Sequence, residues 1–96
     1  MAVLLYYKKE ITIEGDLIKM KIWKINKSKD FPYGLKYSLV YIHNGKRILG
    51  YDNERGKGDH KHYFGKEEKY NFIDIDILSY DFVDEVKNIR RKLYGN

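Results

Sequence analysis

The dipeptide Asn44-Gly45 separates two runs of alternating apolar and polar residues, and this pattern constrains the fold more than any other feature of the chain. Both residues readily adopt the positive φ values of a type I′ turn, which joins two antiparallel strands through a two-residue loop. The surrounding stretch, "LKYSLVYIHNGKRILGYD", therefore predicts a hairpin in which His43 lies opposite Lys46.

The register of this hairpin, continued without interruption, predicts which side chains share a face. It pairs Tyr41 with Ile48, Leu39 with Gly50, and Tyr37 with Asp52. One face then carries Tyr37, Leu39, Tyr41, Ile48 and Asp52, and the other carries Ser38, Val40, Ile42, Arg47, Leu49 and Tyr51. Both faces are partly apolar, so a helix can cover one of them, and the uncovered sheet face is a candidate surface for a homodimer.

A second hairpin and a C-terminal helix complete the predicted fold. The stretch "ITIEGDLIKMKIWKI" alternates as strands do and turns at "EGD". Near the C-terminus, apolar residues recur at helical spacing: Ile75, Leu78, Phe82, Val86, Ile89 and Leu93. Asp74 is the expected N-cap and Gly95 the expected end of this helix. The chain is thus predicted to be a single α+β domain over residues 1–96. An antiparallel sheet of about five strands, over about residues 2–73, carries one long amphipathic helix over about residues 75–94.

Composition narrows the class of function. The chain has no cysteine, which excludes disulfide frameworks and thiolate chemistry. Its N-terminal apolar run is too short for a signal peptide or a membrane span, so a cytoplasmic protein without a membrane partner is expected. The lack of Cys and Gln, with many Lys, Glu, Ile and Tyr, is typical of proteins from organisms that grow at high temperature.

The charge of the chain is basic and uneven. The net charge is +5, and the first 30 residues hold seven lysines against four acidic residues. Lys and Arg side chains that neutralise phosphates gain affinity from counterion release, so RNA is an expected partner, with Lys19 and Lys21 as candidate contacts. A solvated lysine surface on a soluble protein is the other interpretation.

The segment "YDNERGKGDHKH" (residues 51–62) holds the densest group of chemically reactive side chains. On a strand, His60 and His62 share a face about 6–7 Å apart. Imidazole titrates near neutral pH, so the pair can act as general base and general acid on a phosphodiester. Asp52 or Asp59 is expected to orient one of the two rings.

Other residues of this segment are candidates for phosphate binding or for shaping the loop. The candidate nucleic-acid contacts are Arg55, Lys57 and Lys61. The candidate loop-shaping residues are Asn53, Gly56 and Gly58. The alternative role for the two histidines is to bind a metal. A transition-metal site usually needs three or more protein ligands, which Asp52 or Asp59 would have to supply, so no metal and no cofactor are predicted. His43 is expected to be a surface residue beside the Asn44-Gly45 turn.

The order of these residues resembles the TumE family of small toxin-like proteins from prokaryotic type II toxin–antitoxin modules. The resemblance rests on Tyr51-Asp52-Asn53, Gly56, His60-x-His62, Tyr70-x-Phe72 and the helical "LSYDFVDEV", and it spans about residues 35–90. It implies a toxin encoded beside a helix-turn-helix antitoxin, acting on RNA, with the family motif at Asp52, Asn53, Gly56, His60 and His62.

Two positions depart from the family pattern. Glu85 stands where the family's helix often has Asp, and Asp59 stands where another His is common. The second departure removes a candidate ligand or acid–base group, which argues against a three-histidine mechanism.

Three functions follow from these observations. The first is a toxin-like endoribonuclease that needs no metal and uses His60 and His62 as acid and base. The second is a non-catalytic module that binds nucleic acid or protein through the sheet face and its basic rim. The third is a metal-dependent phosphoesterase, which ranks last because few carboxylates are clustered.

Overall fold

The computed structural model describes residues 1–95 as one antiparallel sheet and one helix. The strands are β1 (Val3–Ile11), β2 (Leu17–Lys24), β3 (Leu35–His43), β4 (Lys46–Glu54), β5 (Gly58–Tyr63) and β6 (Lys66–Lys69), and helix α1 spans Ile75–Tyr94. The predicted α+β fold with a long C-terminal helix is confirmed. Over these residues, the helix is too polar to cross a membrane.

Each strand pairs with the next one along the chain, so the six-stranded sheet is a series of hairpins. The predicted count of about five strands omits β6, which follows β5 after a turn at Phe64-Gly65. In this turn φ is 47° at Phe64 and 82° at Gly65. Phenylalanine is uncommon at positive φ, so this turn carries a weaker sequence signal than Asn44-Gly45.

The β3–β4 turn forms as predicted. Asn44 and Gly45 have φ values of 52° and 73°, and His43 lies opposite Lys46. The positive φ at both central positions matches the right-handed twist of the flanking strands, which is why this turn closes the hairpin.

The register beyond the turn differs from the prediction. A bulge at Ile48 shifts the pairing by one residue, so the three predicted pairs Tyr41–Ile48, Leu39–Gly50 and Tyr37–Asp52 are wrong. Asp52 instead pairs with Ser38. The shift places Asp52 on the face opposite the one that carries the tyrosines of β3.

Packing against the helix explains this shift. Leu49 and Tyr51 now share a face with Leu39 and Tyr41, and all four side chains are buried in the core under α1. An uninterrupted register would have turned the Asp52 carboxylate into this apolar layer. Burying a carboxylate there without a partner is costly, whereas one bulge only removes a ladder position.

Helix α1 begins and ends at the predicted residues. The Asp74 carboxylate accepts a hydrogen bond from the backbone N–H of Ile77 at 2.8 Å, a cap that typically contributes about 1 kcal/mol. Gly95 has a φ of 74° and donates its N–H to the Arg91 carbonyl at 2.8 Å. The apolar stripe buried on the sheet consists of Leu78, Phe82, Val86 and Ile89.

A buried carboxylate holds the C-terminal end of α1 on the sheet. Asp16 is 3% exposed and accepts hydrogen bonds from the hydroxyls of Tyr41 at 2.7 Å and Tyr94 at 2.6 Å. Nδ1 of His43 lies 2.8 Å from its other oxygen. Burial acts to raise the pKa of Asp16, but the bonds from Tyr94, Tyr41 and His43 outweigh it and hold that pKa below its ordinary value. The expectation that His43 is a surface residue is therefore corrected, because its ring is half-buried in this cluster.

Candidate functional site

Asp52, His60 and His62 meet on the sheet face opposite the helix, which we call the outer face. Asp52 lies directly across the β4–β5 ladder from His60, and Gly50 lies across from His62. Oδ1 of Asp52 is 2.5 Å from Nε2 of His60 and 3.9 Å from Nε2 of His62, and the two imidazole centres are 5.0 Å apart. The structure thus brings together three of the residues predicted to be catalytic.

The ring of His60 is nearly buried and held in one orientation. Its side chain is 5% exposed, and its Nδ1 lies 3.1 Å from the carbonyl oxygen of Gly58. A carbonyl oxygen only accepts, so Nδ1 carries the hydrogen, and Nε2 of the neutral ring carries a lone pair. The orientation of the backbone carbonyl therefore decides which ring nitrogen faces Asp52.

The contact between Asp52 and His60 is short but lacks hydrogen-bond geometry. Neither Oδ1 of Asp52 nor Nε2 of His60 has a hydrogen-bond partner within residues 1–95, although the two atoms are 2.5 Å apart. Two buried electron-rich atoms therefore point into the same small space. Such an arrangement is stable only if a proton or a cation is shared there.

Strand β6 adds Glu67, which the sequence analysis missed together with the strand. Its Oε2 lies 3.3 Å from Nε2 of His60 and 3.7 Å from Nε2 of His62. The Lys57 ammonium lies 3.1 Å from the same oxygen, and its hydrogen bond lowers the pKa of Glu67. The stretch "GKEEK" is charged at every position after the glycine, so it carries no apolar–polar alternation that could have identified this residue.

Arg47 lies beside His62 on the outer face. A Cβ atom at Gly50, the residue opposite His62, would stand 3.0 Å from Cδ of Arg47, so the glycine leaves room for the arginine stem. Burial, and next the charge of Arg47, lower the pKa of His62. His62 therefore favours its neutral form, which carries a free lone pair.

Asp59 and Lys61 point to the helix side of the sheet, because side chains alternate along β5. The Tyr37 hydroxyl donates to Oδ2 of Asp59 at 2.6 Å. Nζ of Lys61 lies 2.6 Å from Oε1 of Glu85, which also accepts from the Tyr51 hydroxyl. The structure thus separates Asp59 from the Asp52 site, although the sequence grouped it with the catalytic residues. It also separates Lys61 from the other predicted nucleic-acid contacts, Lys19 and Lys21.

The β4–β5 loop adopts the backbone that its glycines allow. Gly56 and Gly58 have φ values of 81° and 75°, and a Cβ at either would meet open space, so the dihedral angle is what requires glycine. Arg55 is exposed and forms an ion pair with Asp30 at 2.9 Å. Its guanidinium therefore binds the β2–β3 connection.

The side chain of Asn53 joins β3 to β4. Its side chain is buried, accepts a hydrogen bond from the Tyr37 N–H at 2.9 Å, and donates to the Leu35 carbonyl at 2.8 Å. These bonds join β3 to β4 where the backbone ladder has ended. Asn53 thus fixes the end of β4 from which the loop starts.

Two straight rows of side chains cross the outer face, one residue from each strand. The first row is Tyr7, Lys21, Ser38, Asp52, His60 and Lys69, and the second is Lys9, Lys19, Val40, Gly50, His62 and Glu67. Neighbouring strands are about 4.8 Å apart, so Lys21 stands about 10 Å from Asp52. The Lys21 ammonium also lies 5.8 Å from the centre of the Tyr7 ring. Lys19, Lys21 and the histidine pair therefore share one surface, whereas Lys61 lies on the opposite face.

The site can perform two kinds of chemistry. Two imidazoles beside a carboxylate can move protons to and from a phosphodiester. The same donor set, two nitrogens and one oxygen, can bind a divalent metal ion. Glu67 is the most exposed member of the site, at 40% of its side chain, and Asp52 and His62 are each 16% exposed. His60 is only 5% exposed.

A family model described as Toxin TumE matches residues 3–90, which include all of the strands and most of the helix. No curated protein and no solved structure matches the chain.

Proposed function

The chain belongs to the TumE toxin family, and on that premise we propose that it is a toxin that cleaves RNA at the site formed by Asp52, His60 and His62. The observation that carries this proposal is that the site lies in the same two rows of the outer face as Lys9, Lys19 and Lys21. A toxin implies an antitoxin as its partner, and we propose that this antitoxin is a helix-turn-helix protein.

The outer face suits a single strand of RNA. Lys19 and Lys21 supply positive charge to its phosphates, and Lys9 continues the row at the sheet edge. Tyr7 and Trp23, which lie on the same face, offer rings on which bases can stack without sequence preference. An RNA strand that crosses β1, β2 and β3 along these rows would reach the Asp52 site on β4 and β5.

The chemistry that fits this site is transesterification, in which the 2′-hydroxyl of a nucleotide attacks the adjacent phosphodiester. A base removes the 2′ proton, the 2′ oxygen bonds to phosphorus, and the bond from phosphorus to the 5′ oxygen breaks as that oxygen gains a proton. The products are a 2′,3′-cyclic phosphate and a free 5′-hydroxyl. We assign the contact with RNA to His62, since it is the more exposed of the two rings. We assign to Arg47 and Lys57 the neutralisation of negative charge on the phosphate oxygens.

A cleavage assay tests this proposal. Purified wild-type protein is incubated with a mixed RNA pool and, in parallel, with translating ribosomes, beside the variants His62→Ala and His43→Ala. We expect new 2′,3′-cyclic phosphate ends in the wild type and a loss of at least about 100-fold in the His62 variant. The His43 variant lacks the chain's third histidine, which binds Asp16 away from this site, and should cleave as the wild type does.

A second candidate function is binding of RNA without cleavage. The burial of His60 favours it, because only His62 of the pair is open to a substrate. RNA binding with no new ends in either reaction would support this function and contradict cleavage. The predicted homodimer would use the same sheet face and would therefore compete with RNA for it. Light scattering of the free protein tests whether the homodimer forms.

A further inference from the structure

The nitrogen and oxygen atoms of the Asp52 site lie close together, at distances that bracket those expected for ligands of one metal ion. One ligand atom from each of Asp52, His60 and His62 lies within 4.8 Å of the other two. Ligands that share an ion at about 2.1 Å lie about 3.0–3.4 Å apart. The distances from Oδ1 of Asp52 to the two Nε2 atoms, 2.5 and 3.9 Å, fall on either side of that range.

His60 has the orientation of a metal-binding histidine. Its Nδ1–H points at the Gly58 carbonyl at 3.1 Å, and its Nε2 points into the cluster. Histidines that bind metals typically donate their second ring N–H to a carbonyl or carboxylate in this way, which fixes the tautomer. Gly58, the first residue of β5, thus presents its carbonyl oxygen to the ring of His60.

A proton shared between Asp52 and His60 explains the contact less well than a metal ion. A hydrogen on Nε2 lies in the ring plane, and the contact with Oδ1 lacks the geometry of a hydrogen bond despite its short distance. Both atoms are buried and remain without a hydrogen-bond partner in the described part of the chain. A cation bound to both atoms would satisfy both lone pairs at once.

The donor set indicates the class of ion. Two imidazole nitrogens and a carboxylate oxygen suit zinc, cobalt, manganese or iron, whereas Mg²⁺ prefers oxygen ligands only. Glu67 can supply a fourth ligand, since its Oε2 lies within 3.7 Å of both Nε2 atoms. A site with three firm ligands and one exchangeable position is the arrangement found in catalytic metal centres.

We propose that Asp52, His60 and His62 bind one divalent first-row transition-metal ion, with Glu67 as an exchangeable fourth ligand. A catalytic role for this ion rests on the proposed function. In that role the ion would stabilise the charge that develops on the phosphate oxygens. Binding itself needs no RNA. The proposal replaces the metal-independent acid–base pair expected from the sequence.

Titration of the metal-free protein tests the proposal. Protein stripped with EDTA and exchanged into metal-free buffer is titrated with Zn²⁺ in a calorimeter and with Co²⁺ in a visible spectrometer. We expect one ion per chain and cobalt absorption bands, with no heat from Mg²⁺. Asp52→Asn and His62→Ala should each weaken Zn²⁺ binding at least about 100-fold, more than loss of an outer hydrogen bond does, while His43→Ala should bind as the wild type does.

Circular dichroism of each variant shows whether it is folded, and the Co²⁺ bands report the ligands independently of stability. Absence of one-to-one Zn²⁺ binding by the folded wild type would overturn the metal site, as would unchanged binding by both folded ligand variants. RNA cleavage that survives EDTA would leave the proposed function standing without the metal. Zn²⁺ binding that depends on Asp52 and His62, with no RNA cleavage, would retain the metal site and reject the proposed function.

Discussion

The carboxylate of Asp52 and the imidazole of His60 face each other directly across the β4–β5 ladder, with Oδ1 2.5 Å from Nε2. Both residues lie within strands, so the ladder and not a mobile loop sets their separation. Sites built on strands hold their geometry more tightly than sites on loops. The rigid placement of these two groups is the reason that changes at either residue make informative tests.

Replacing Asp52 with Asn should abolish RNA cleavage without unfolding the protein. The change keeps the shape of the side chain but removes the charge that faces His60 and His62, so the rate should fall at least about 100-fold. Asp84→Asn makes the same change on the exposed surface of the helix and should leave the rate unaltered. Full activity in a folded Asp52→Asn protein would contradict the proposed site. The rates are measured from the appearance of new RNA ends.

Removing Lys19 and Lys21 should reduce the salt dependence of RNA binding. Each phosphate contact on a single strand contributes about 0.7 to the slope of log affinity against log salt, so the double Ala variant should lose about 1.4. The control replaces two exposed basic residues of the helix, Lys87 and Arg91. Both pairs are made in a His62→Ala background, which prevents cleavage during the titration. The slopes are measured by fluorescence anisotropy.

Equal slopes for the two double variants would show that RNA does not bind along the rows of the outer face. A slope lowered only by the helix pair would place the RNA on the opposite side of the molecule. Either result would contradict the proposed position of RNA on the outer face, and neither would affect the family assignment.

Asp16→Asn should destabilise the fold without affecting RNA cleavage. The buried carboxylate accepts hydrogen bonds from Tyr41 and Tyr94, and an amide cannot accept all the bonds that the carboxylate accepts. The expected loss is about 2–4 kcal/mol in the free energy of unfolding, measured by urea denaturation. Glu14→Gln removes the more exposed ion pair with Arg90 and should cost much less. Similar losses in the two variants would contradict the importance of the buried cluster.

The cluster around Asp16 should make the free energy of unfolding fall at acid pH. The pKa of Asp16 is lower in the folded protein than its ordinary value of 3.8, so the folded state binds fewer protons at this group. The stability that this shift contributes is present above the unfolded pKa and is lost as pH falls through the folded pKa. The difference in unfolding free energy between wild type and Asp16→Asn should therefore shrink as pH falls below about 4. A difference that persists unchanged to about pH 2.5 would rule out this cause.

The predicted histidine pair illustrates what a local pattern can establish. His-x-His on a strand must share a face, and the structure places the two imidazole centres 5.0 Å apart. The placement of Asp52 at the same end of the hairpin also followed from strand length. Asp59 was grouped with the pair because it is adjacent in sequence, yet alternation turns it toward Tyr37 on the helix side. The family resemblance, which the sequence carried over about residues 35–90, extends through the N-terminal hairpin.

The sequence by itself determined the elements whose signals are local. Three signals act within a few residues: the type I′ turn at Asn44-Gly45, the alternation from Ile18 to Ile22 in β2, and the helical period between Asp74 and Gly95. The hairpins and the helix could therefore be predicted. The family followed similarly, because its motif is a short run of polar residues with fixed spacing.

Only the tertiary structure decided the bulge at Ile48 and the arrival of Glu67 beside the histidines. The bulge exists because Leu49 and Tyr51 gain more from burial against α1 than the ladder loses, and this balance depends on a helix far away in sequence. Glu67 reaches the site because β6 continues the sheet after a turn with Phe64 at positive φ. Both outcomes depend on packing between residues that are far apart in the sequence. Such packing decides which face of the sheet a side chain occupies, and no local sequence pattern predicts it.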